Sequence, residues 1–408
     1  MIRFARKLAL PLCFVLLTGV ACGGGDDNNA SGAGGDGGNE EIKIGAIFDL
    51  SGATADVGTP YAEGIRDYIE YRNSQGGVEG RRLALTWQDY GYRVPQAEQL
   101  YQQYVAEGAK VFMGWGTGDT EALRPRVNAD RIPFMSASYA ETLTDPKVTP
   151  YNFFPGASYS QQMRIALQWI SDQNKDKHVE VAVFHHDSPF GTSPLEDGKK
   201  YIADHKLDIG FRSYAMPAGA TDFVAQIGQA KSQGANYVVI QNVASPAAKL
   251  ISNLQDQKAG AQVICLNWCA DELTARLAGA SAEKMVGIMP FAPPKGDEPG
   301  LAEINSYLQG KGTDAKAKGL HYVQGWFTMA SMVQGIENAL KKNPDEIDGP
   351  AIKEGLEEID NFTTPVSSPI SFSDAYHAGM DAVPVYQFTG GAWTKIHDPI
   401  KVEVEVGK

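Results

Sequence analysis

Residues 42–50, IKIGAIFDL, are an almost unbroken apolar run. The period then changes: Tyr61, Ile65, Tyr68 and Ile69 recur at helical spacing up to Arg72. The first pattern predicts a buried strand and the second an amphipathic helix over 61–73. LALTWQD (83–89) predicts the next strand. Ala97, Leu100, Tyr101, Tyr104 and Val105 mark one face of a second helix, which Gly108 ends. Residues 111–115 (VFMGW) and 132–136 (IPFMS) predict two more strands. Strand–helix–strand repetition means a parallel sheet with helices on both faces.

The alternation then starts afresh. Met163, Leu167 and Ile170 predict a helix over 160–172, and strands follow at 179–184, 237–240 and 262–266 with helices between them. Residues 285–291 (MVGIMPF) lead back toward the first lobe, into a long helix over 322–340. The chain closes in short strands, ISF, VPVYQF and AWTKI. These patterns predict two α/β lobes without a disordered linker between them, within a chain of 408 residues, long enough for two domains.

The N-terminus follows a different rule. Arg3, Arg6 and Lys7 precede a short apolar run at 8–17, and Gly19-Val20-Ala21 lead to Cys22. That is the layout of an export signal, too short to span a bilayer as a folded helix. The arrangement resembles a bacterial lipobox, which implies an acylated Cys22 as the mature N-terminus; Gly19 stands where that motif carries Leu, Val or Ile. Cleavage near Ala21 with Cys22 unmodified is the alternative. Residues 23–41, GGGDDNNASGAGGDGGNEE, hold no apolar side chain larger than alanine, so they cannot bury surface and predict a disordered tether.

Charge narrows the partners. The formal net charge is −13, and loss of the basic signal makes the mature chain more acidic. Nucleic acid, whose phosphates need a basic face, is excluded, and anionic lipid gains nothing from such a surface. Cys13 leaves with the signal. Cys265 and Cys269 remain, either as a local disulfide in an oxidising compartment or as two buried thiols. No second Cys/His pair stands nearby in sequence to complete a metal site.

Several stretches carry a resemblance. Gly45, the Leu50-Ser51-Gly52 turn, Gly58, Gly64, Asn73 and the turn at 76–80 (GGVEG) come first. Ile132-Pro133 before SAS (136–138), HHDSPFG (185–191), LAGASAEKMVG (277–287) and SFSDAYHAGMDAVPVYQF follow in order. Over about 42–398 the chain resembles the type I periplasmic solute-binding proteins, branched-chain amino acid (Leu/Ile/Val) group. The resemblance implies an α/β fold of two Rossmann-like lobes with parallel central sheets, joined by a three-crossing hinge and closing on a ligand. It places lobe one at 42–157 plus 288–365 and lobe two at 158–287 plus 366–408.

Ligands of open α/β sheets bind beyond the carboxyl ends of the strands. The loop after the third predicted strand, Trp115 to Thr120, is therefore the first candidate. Its glycines let backbone N–H groups approach a ligand, and a helix N-terminus follows. The resemblance implies a serine here for an amino-acid carboxylate, but this chain has Gly118 between Thr117 and Asp119. Asp119 reads as the helix N-cap. The second candidate is Ser136-Ala137-Ser138-Tyr139, with Ser138 and Tyr139 as the contacts. In lobe two, Phe190 matches an aromatic lid, and Asn242, Asn267 and Trp268 end the strands. Where the family's amino-acid binders carry an acid for the ligand ammonium, this chain has the neutral Asn267. Asp271 is the nearest acid, and reads equally as a helix N-cap. Tyr90 and Tyr92 join Trp115, Tyr139, Phe190 and Trp268 in an aromatic set suited to flat rings, long apolar ligands or cations held by π faces.

Rival chemistries lack their motifs. Gly114, Gly116 and Gly118 give G-x-G-x-G, with no G-x-G-x-x-G and no Gly-Lys-Ser/Thr, so the loop is no nucleotide cradle. There is no G-x-S-x-G and no H-E-x-x-H; His185-His186-Asp187 is the only local cluster with metal or catalytic potential. The sequence therefore predicts a lipid-anchored monomer of the periplasm or cell surface, without cofactor, metal or catalysis. It would capture a small molecule (amino acid-like, amide or aromatic/apolar) for an ABC permease. A lipid-tethered sensor of the same fold is the alternative, and a hydrolase a more distant one.

Overall fold

The computed structural model describes residues 41–175, 177–345 and 347–403. The export signal, Cys13, Cys22 and all of the predicted tether except Glu41 lie outside the described residues. No described helix is long and apolar enough to cross a membrane.

The first half builds one sheet. Its strands are β1 (Ile42–Phe48), β2 (Leu83–Asp89), β3 (Val111–Gly114), β4 (Phe134–Ser136) and β5 (Asn152–Phe153). Between them run α1 (Ala55–Ser74), α2 (Val94–Ala106) and α3 (Thr117–Asp130). The strand order is β2-β1-β3-β4-β5 and every pairing is parallel.

After β5 the chain passes to a second sheet through α4 (Tyr159–Gln173). There follow β6 (Val179–His186), α5 (Pro189–Thr192), α6 (Leu195–Asp204), β7 (Ile209–Met216), α7 (Val224–Ser232), β8 (Ala235–Gln241), α8 (Ala244–Asp256), β9 (Gln262–Cys265), α9 (Glu272–Ala278) and β10 (Val286–Ile288). A second passage leads to α10 (Ala302–Gln309), α11 (Ala315–Lys318), α12 (Leu320–Lys342) and α13 (Gly349–Glu357). A third returns the chain to β11 (Ala382–Thr389) and β12 (Ala392–Lys401). The second sheet reads β12-β11-β10-β9-β8-β6-β7.

That sheet is parallel at its centre, as expected, and adds an antiparallel edge. β6 to β10 pair in parallel, but β11 runs antiparallel to both β10 and β12. The cause is local. Gly390 and Gly391 join β11 to β12 with φ of 60° and 87°, the positive pair that a tight two-residue hairpin requires, and such a hairpin is antiparallel by construction. β7 escaped the periodicity because it is an edge strand, with Arg212 and Ser213 exposed. Residues 370–372 form no strand; Ile370 makes only an isolated bridge to Phe362.

One contact seats the long helix. A Cβ placed on Gly64 of α1 would lie 2.0 Å from the Tyr322 carbonyl oxygen, and one on Gly325 of α12 would lie 2.1 Å from that of Tyr61. The two helix backbones touch because neither position carries a side chain. Beside the contact, Trp326 packs against Tyr68, Tyr71 and Tyr307 with ring centroids 5.3, 5.3 and 5.6 Å apart. The Tyr322 hydroxyl donates to buried Asp67 at 2.8 Å.

Substitution of Gly325 by alanine should separate these backbones. The expected cost is about 1–3 kcal/mol, the usual range for overpacking. A thermal melt reads it; an unchanged melting temperature would contradict the contact.

Candidate functional site

The two sheets face one another with the carboxyl ends of their parallel strands. A small chamber lies between them, lined by Thr54, Tyr92, Trp115, Gly116, Thr117, Ala137, Tyr159, Phe190, Val243 and Trp268. Each comes from a segment that follows a strand. Thr54 follows β1, Tyr92 β2, Trp115 to Thr117 β3, Ala137 β4 and Tyr159 β5; Phe190 follows β6, Val243 β8 and Trp268 β9. Convergence of strand-end loops is where open α/β folds hold ligands. The free volume is about 20 Å³, room for a water molecule and no larger solute. A wider hollow of about 990 Å³ lies against Pro293, Arg276, Phe388 and Trp393. It is an open groove beside the β11–β12 hairpin, without that convergence.

Trp268 closes the chamber from the second-sheet side. Its ring sits 6.0 Å from Tyr61, 5.2 Å from Trp115, 5.8 Å from Tyr139 and 5.2 Å from His321. Its indole N–H donates to the Tyr159 hydroxyl at 2.9 Å, and that hydroxyl donates to the Ala137 carbonyl at 3.2 Å. Tyr159 thus ties the two halves together. It stands just after Ser158, which caps α4 and accepts from Gln161 N–H at 3.0 Å. The strand-end rule, applied at Phe153, would have found it; helical periodicity alone counted only the inward positions further on.

The glycine-rich loop is built around Asp119. The expectation that Asp119 is the N-cap is corrected by one turn: Gly116 is the N-cap, and Asp119 lies in the first turn of α3. One carboxylate oxygen accepts from the Tyr90 hydroxyl at 2.7 Å and the other from Gly116 N–H at 3.2 Å. Burial raises this carboxyl to about 7 despite those bonds. A second carboxylate lies behind the neighbouring strand end of the same sheet. Asp49 accepts from Gly52 N–H at 2.6 Å, Thr54 N–H at 2.9 Å and the Thr54 hydroxyl at 2.7 Å. The Thr54 oxygen in turn accepts the Trp115 indole N–H at 2.8 Å.

The sequence candidates separate into two groups. Tyr92, Trp115, Thr117, Phe190 and Trp268 line the chamber. The others stand back from it. Gly118 faces away, since a Cβ there would meet Pro189 and Val94 at 3.6 Å with room to spare. Ser138 shares a hydrogen bond of 2.8 Å with Thr117. Tyr139 stacks on Phe154 and accepts from Gln324 Nε2 at 2.7 Å. The Asn242 carboxamide oxygen caps Val243 N–H at 2.8 Å. Asn267 is buried, its backbone N–H donating to Gln162 at 3.0 Å. Gly116 and Ala137 lie within the two candidate loops without being singled out; Thr54, Tyr159 and Val243 stand outside them, although the strand-end rule covers Thr54 and Val243.

Asp271 has two partners of its own. It caps α9 by accepting from Thr274 N–H at 2.6 Å, and its second oxygen meets His321 Nε2 at 2.9 Å. His321 comes from α12, so the pair bridges the two halves while almost wholly buried. The other ring nitrogen faces Gln324 Oε1 at 3.0 Å. Two acceptors on one imidazole favour its doubly protonated form. Burial opposes that charge, but the bond to Asp271 and its field outweigh burial and raise the pKa. His185 and His186 do not converge: Nδ1 of His185 faces the His186 carbonyl at 3.0 Å, and Nδ1 of His186 the Ser188 hydroxyl at 2.8 Å. Burial lowers the His186 pKa, keeping it neutral. Cys265 and Cys269 are free, buried thiols.

Comparison with known proteins agrees with this geometry. Residues 41–392 match the model described as periplasmic binding protein. The Leu/Ile/Val-binding protein homolog 1 of Brucella abortus is 24% identical over 358 residues, 86% of this chain and 91% of that protein. A branched chain amino acid ABC transporter structure from Thermus thermophilus, with bound valine, superposes at a TM-score of 0.82 with 23% identity, covering 89% of this chain and 97% of that one. A fatty acid ABC transporter substrate-binding protein from Thermomonospora curvata does so at 0.78 with 17% identity, covering 90% and 96%. The last two share the fold and differ in named solute, so the fold does not by itself name the ligand here.

The His321–Asp271 bridge has a pH signature. Because the folded-state pKa of His321 is raised, its contribution is fully present below the ordinary value near 6.5 and is lost as pH rises through the raised value. His321→Leu leaves Asp271 short of a buried partner, a loss of about 3 kcal/mol at pH 6. Urea unfolding of both proteins across pH 5.5 to 9 should show the gap narrowing toward alkaline pH; a constant gap would remove the ion pair from the account.

Proposed function

Because the chain belongs to the periplasmic binding protein family, we propose that it captures a small molecule in the aromatic chamber between its two sheets and delivers it to an ABC permease. The carrying observation is the convergence of eight strand-end segments on that one chamber. The family places such proteins outside the cytoplasm. In this reading Cys22 tethers the protein to the membrane by a lipid, and the protein acts as a monomer without cofactor or chemistry on the ligand.

Capture proceeds by hinge closure. Residues 42–157 with 288–365 form one moving body, and 158–287 with 366–403 of the described chain form the other. The present geometry is a closed one. Trp268 is seated among rings of the opposite body, Asp56 accepts from Ser245 N–H at 2.7 Å across the gap, and Asp271 meets His321. A solute larger than water enters when the bodies part, and the chamber rings then re-seat around it. Closing excludes water and strengthens each polar contact inside.

The ligand is amino acid-like, an amide, or an aromatic or apolar compound. The Thr117 and Tyr159 hydroxyls offer polar contacts, and Tyr92, Trp115, Phe190 and Trp268 give the walls. Ser138 and Tyr139 support Thr117 and Trp268 from behind.

A thermal-shift panel of amino acids, amides, aromatic acids and amines should yield at least one solute that raises the melting temperature, since binding the folded state stabilises it. Trp115→Ala and Trp268→Ala should each weaken that hit by roughly tenfold or more. A hit with unchanged affinity in both variants would move the site elsewhere.

A further inference from the structure

We propose that the chamber is built for a small organic cation, an alkylated ammonium, in preference to an α-amino acid. This rests on the reading of the chamber as the ligand site.

The lining holds five aromatic side chains, two indoles (Trp115, Trp268), two phenols (Tyr92, Tyr159) and one phenyl (Phe190), and no lysine, arginine or carboxylate. Aromatic faces attract a cation through their quadrupole, indole most strongly. The walls are backed by two buried carboxyl groups, and a cation beside them draws Asp119 toward its ionised form. Asp49 and Asp119 are buried at 0% and 2% exposure, and no lysine, arginine or histidine among the described residues lies within 4.0 Å of either. A buried carboxylate without a counter-charge is costly, and the raised pKa of Asp119 is one sign of that cost. A cation in the chamber supplies the missing charge from one layer away.

The connection to Asp49 runs through the wall itself. Trp115 donates to Thr54, and Thr54 donates to Asp49, at 2.8 and 2.7 Å. A carboxylate at the end of that relay polarises the indole N–H and enriches its ring face. Asp119 reaches the chamber through Gly116 N–H and the Tyr90 hydroxyl. Positive groups nearby do not oppose this. His186, at the rim against Tyr92 and Phe190, is kept neutral by burial. His321, behind Trp268, is matched by Asp271.

The same charges disfavour an α-amino acid. Its carboxylate would face Asp49 and Asp119 across one layer of side chains, with no cationic residue in the lining. Its ammonium would find Asp271 already engaged at both oxygens, by Thr274 and His321.

The test is calorimetry on the intact mature protein with tetramethylammonium and choline. The uncharged carbon isostere of choline, 3,3-dimethylbutanol, and the corresponding anion, 3,3-dimethylbutanoate, serve as controls. The expected result is that a cation binds at least about tenfold more tightly than the alcohol and that the anion does not bind. Asp119→Asn should lower the ratio of choline affinity to alcohol affinity about threefold or more; an unchanged ratio removes Asp119 from the inference. Equal affinity for choline and the alcohol overturns the cation inference and leaves the chamber as an apolar site. Absence of cation binding also overturns it. A panel solute that then loses affinity in Trp115→Ala keeps the chamber reading, and one indifferent to both tryptophans overturns that reading as well.

Discussion

The backbone contact of α1 with α12 is the constraint on which the cleft depends. Helix α12 arrives late in the chain, after an excursion through β6 to β10 of the second sheet, yet it must lie against the first helix. Gly64 and Gly325 let the two axes come close enough for carbonyl oxygens to fill the space side chains would occupy. That depth of seating brings the amino end of α12 to the cleft. His321 can then meet Asp271, and Gln324 can reach Tyr139. With a wider crossing, Trp268 would lose its stacking partner His321 and the Tyr139 hydroxyl would lose its donor. The geometry of the cleft is in this sense an outcome of helix packing beside it.

Much of this was legible in the sequence because its signals are local. Apolar runs of strand length alternating with helical periodicity gave the parallel sheets, and the strand-end rule put Tyr92, Trp115, Thr117, Phe190 and Trp268 on the chamber wall. What stayed hidden depends on partners far along the chain. Asp119 read as a cap, and its true place in the first turn of α3 is set by the Tyr90 hydroxyl from the previous loop. Asp271 offered two roles on local grounds; the deciding partner, His321, lies 50 residues on. Gly118 seemed the anomaly of its loop, yet its open side points at Pro189 rather than into the chamber. The antiparallel hairpin at the sheet edge was missed for the opposite reason. Its signal, Gly390-Gly391, was local but outweighed by the repeated parallel pattern before it.

The site also shows how one loop replaces another's chemistry. Polar capture at a strand end needs either a hydroxyl or an exposed backbone donor. Here the Gly116 N–H is engaged by Asp119, and the Thr120 hydroxyl donates back to the Gly116 carbonyl. Thr117 is turned toward Ser138 and the chamber. Rings take over most of the wall, and specificity then resides in shape and electrostatic potential more than in a count of hydrogen bonds.

The Trp268 socket and the Asp271–His321 bridge join the two halves of the protein by direct side-chain contacts. In a hinge-closing protein, contacts of that kind lower the free energy of the shut form whether or not cargo is aboard. Part of the preference for closing is thus inherent, and the solute need contribute only the remainder. The cellular consequence is a matter of traffic at the membrane. If the protein serves a permease as proposed, empty carriers in the shut shape would compete there with loaded ones. The strength of this ligand-independent latch therefore sets a compromise between gripping a scarce solute and jamming the gate with vacant copies.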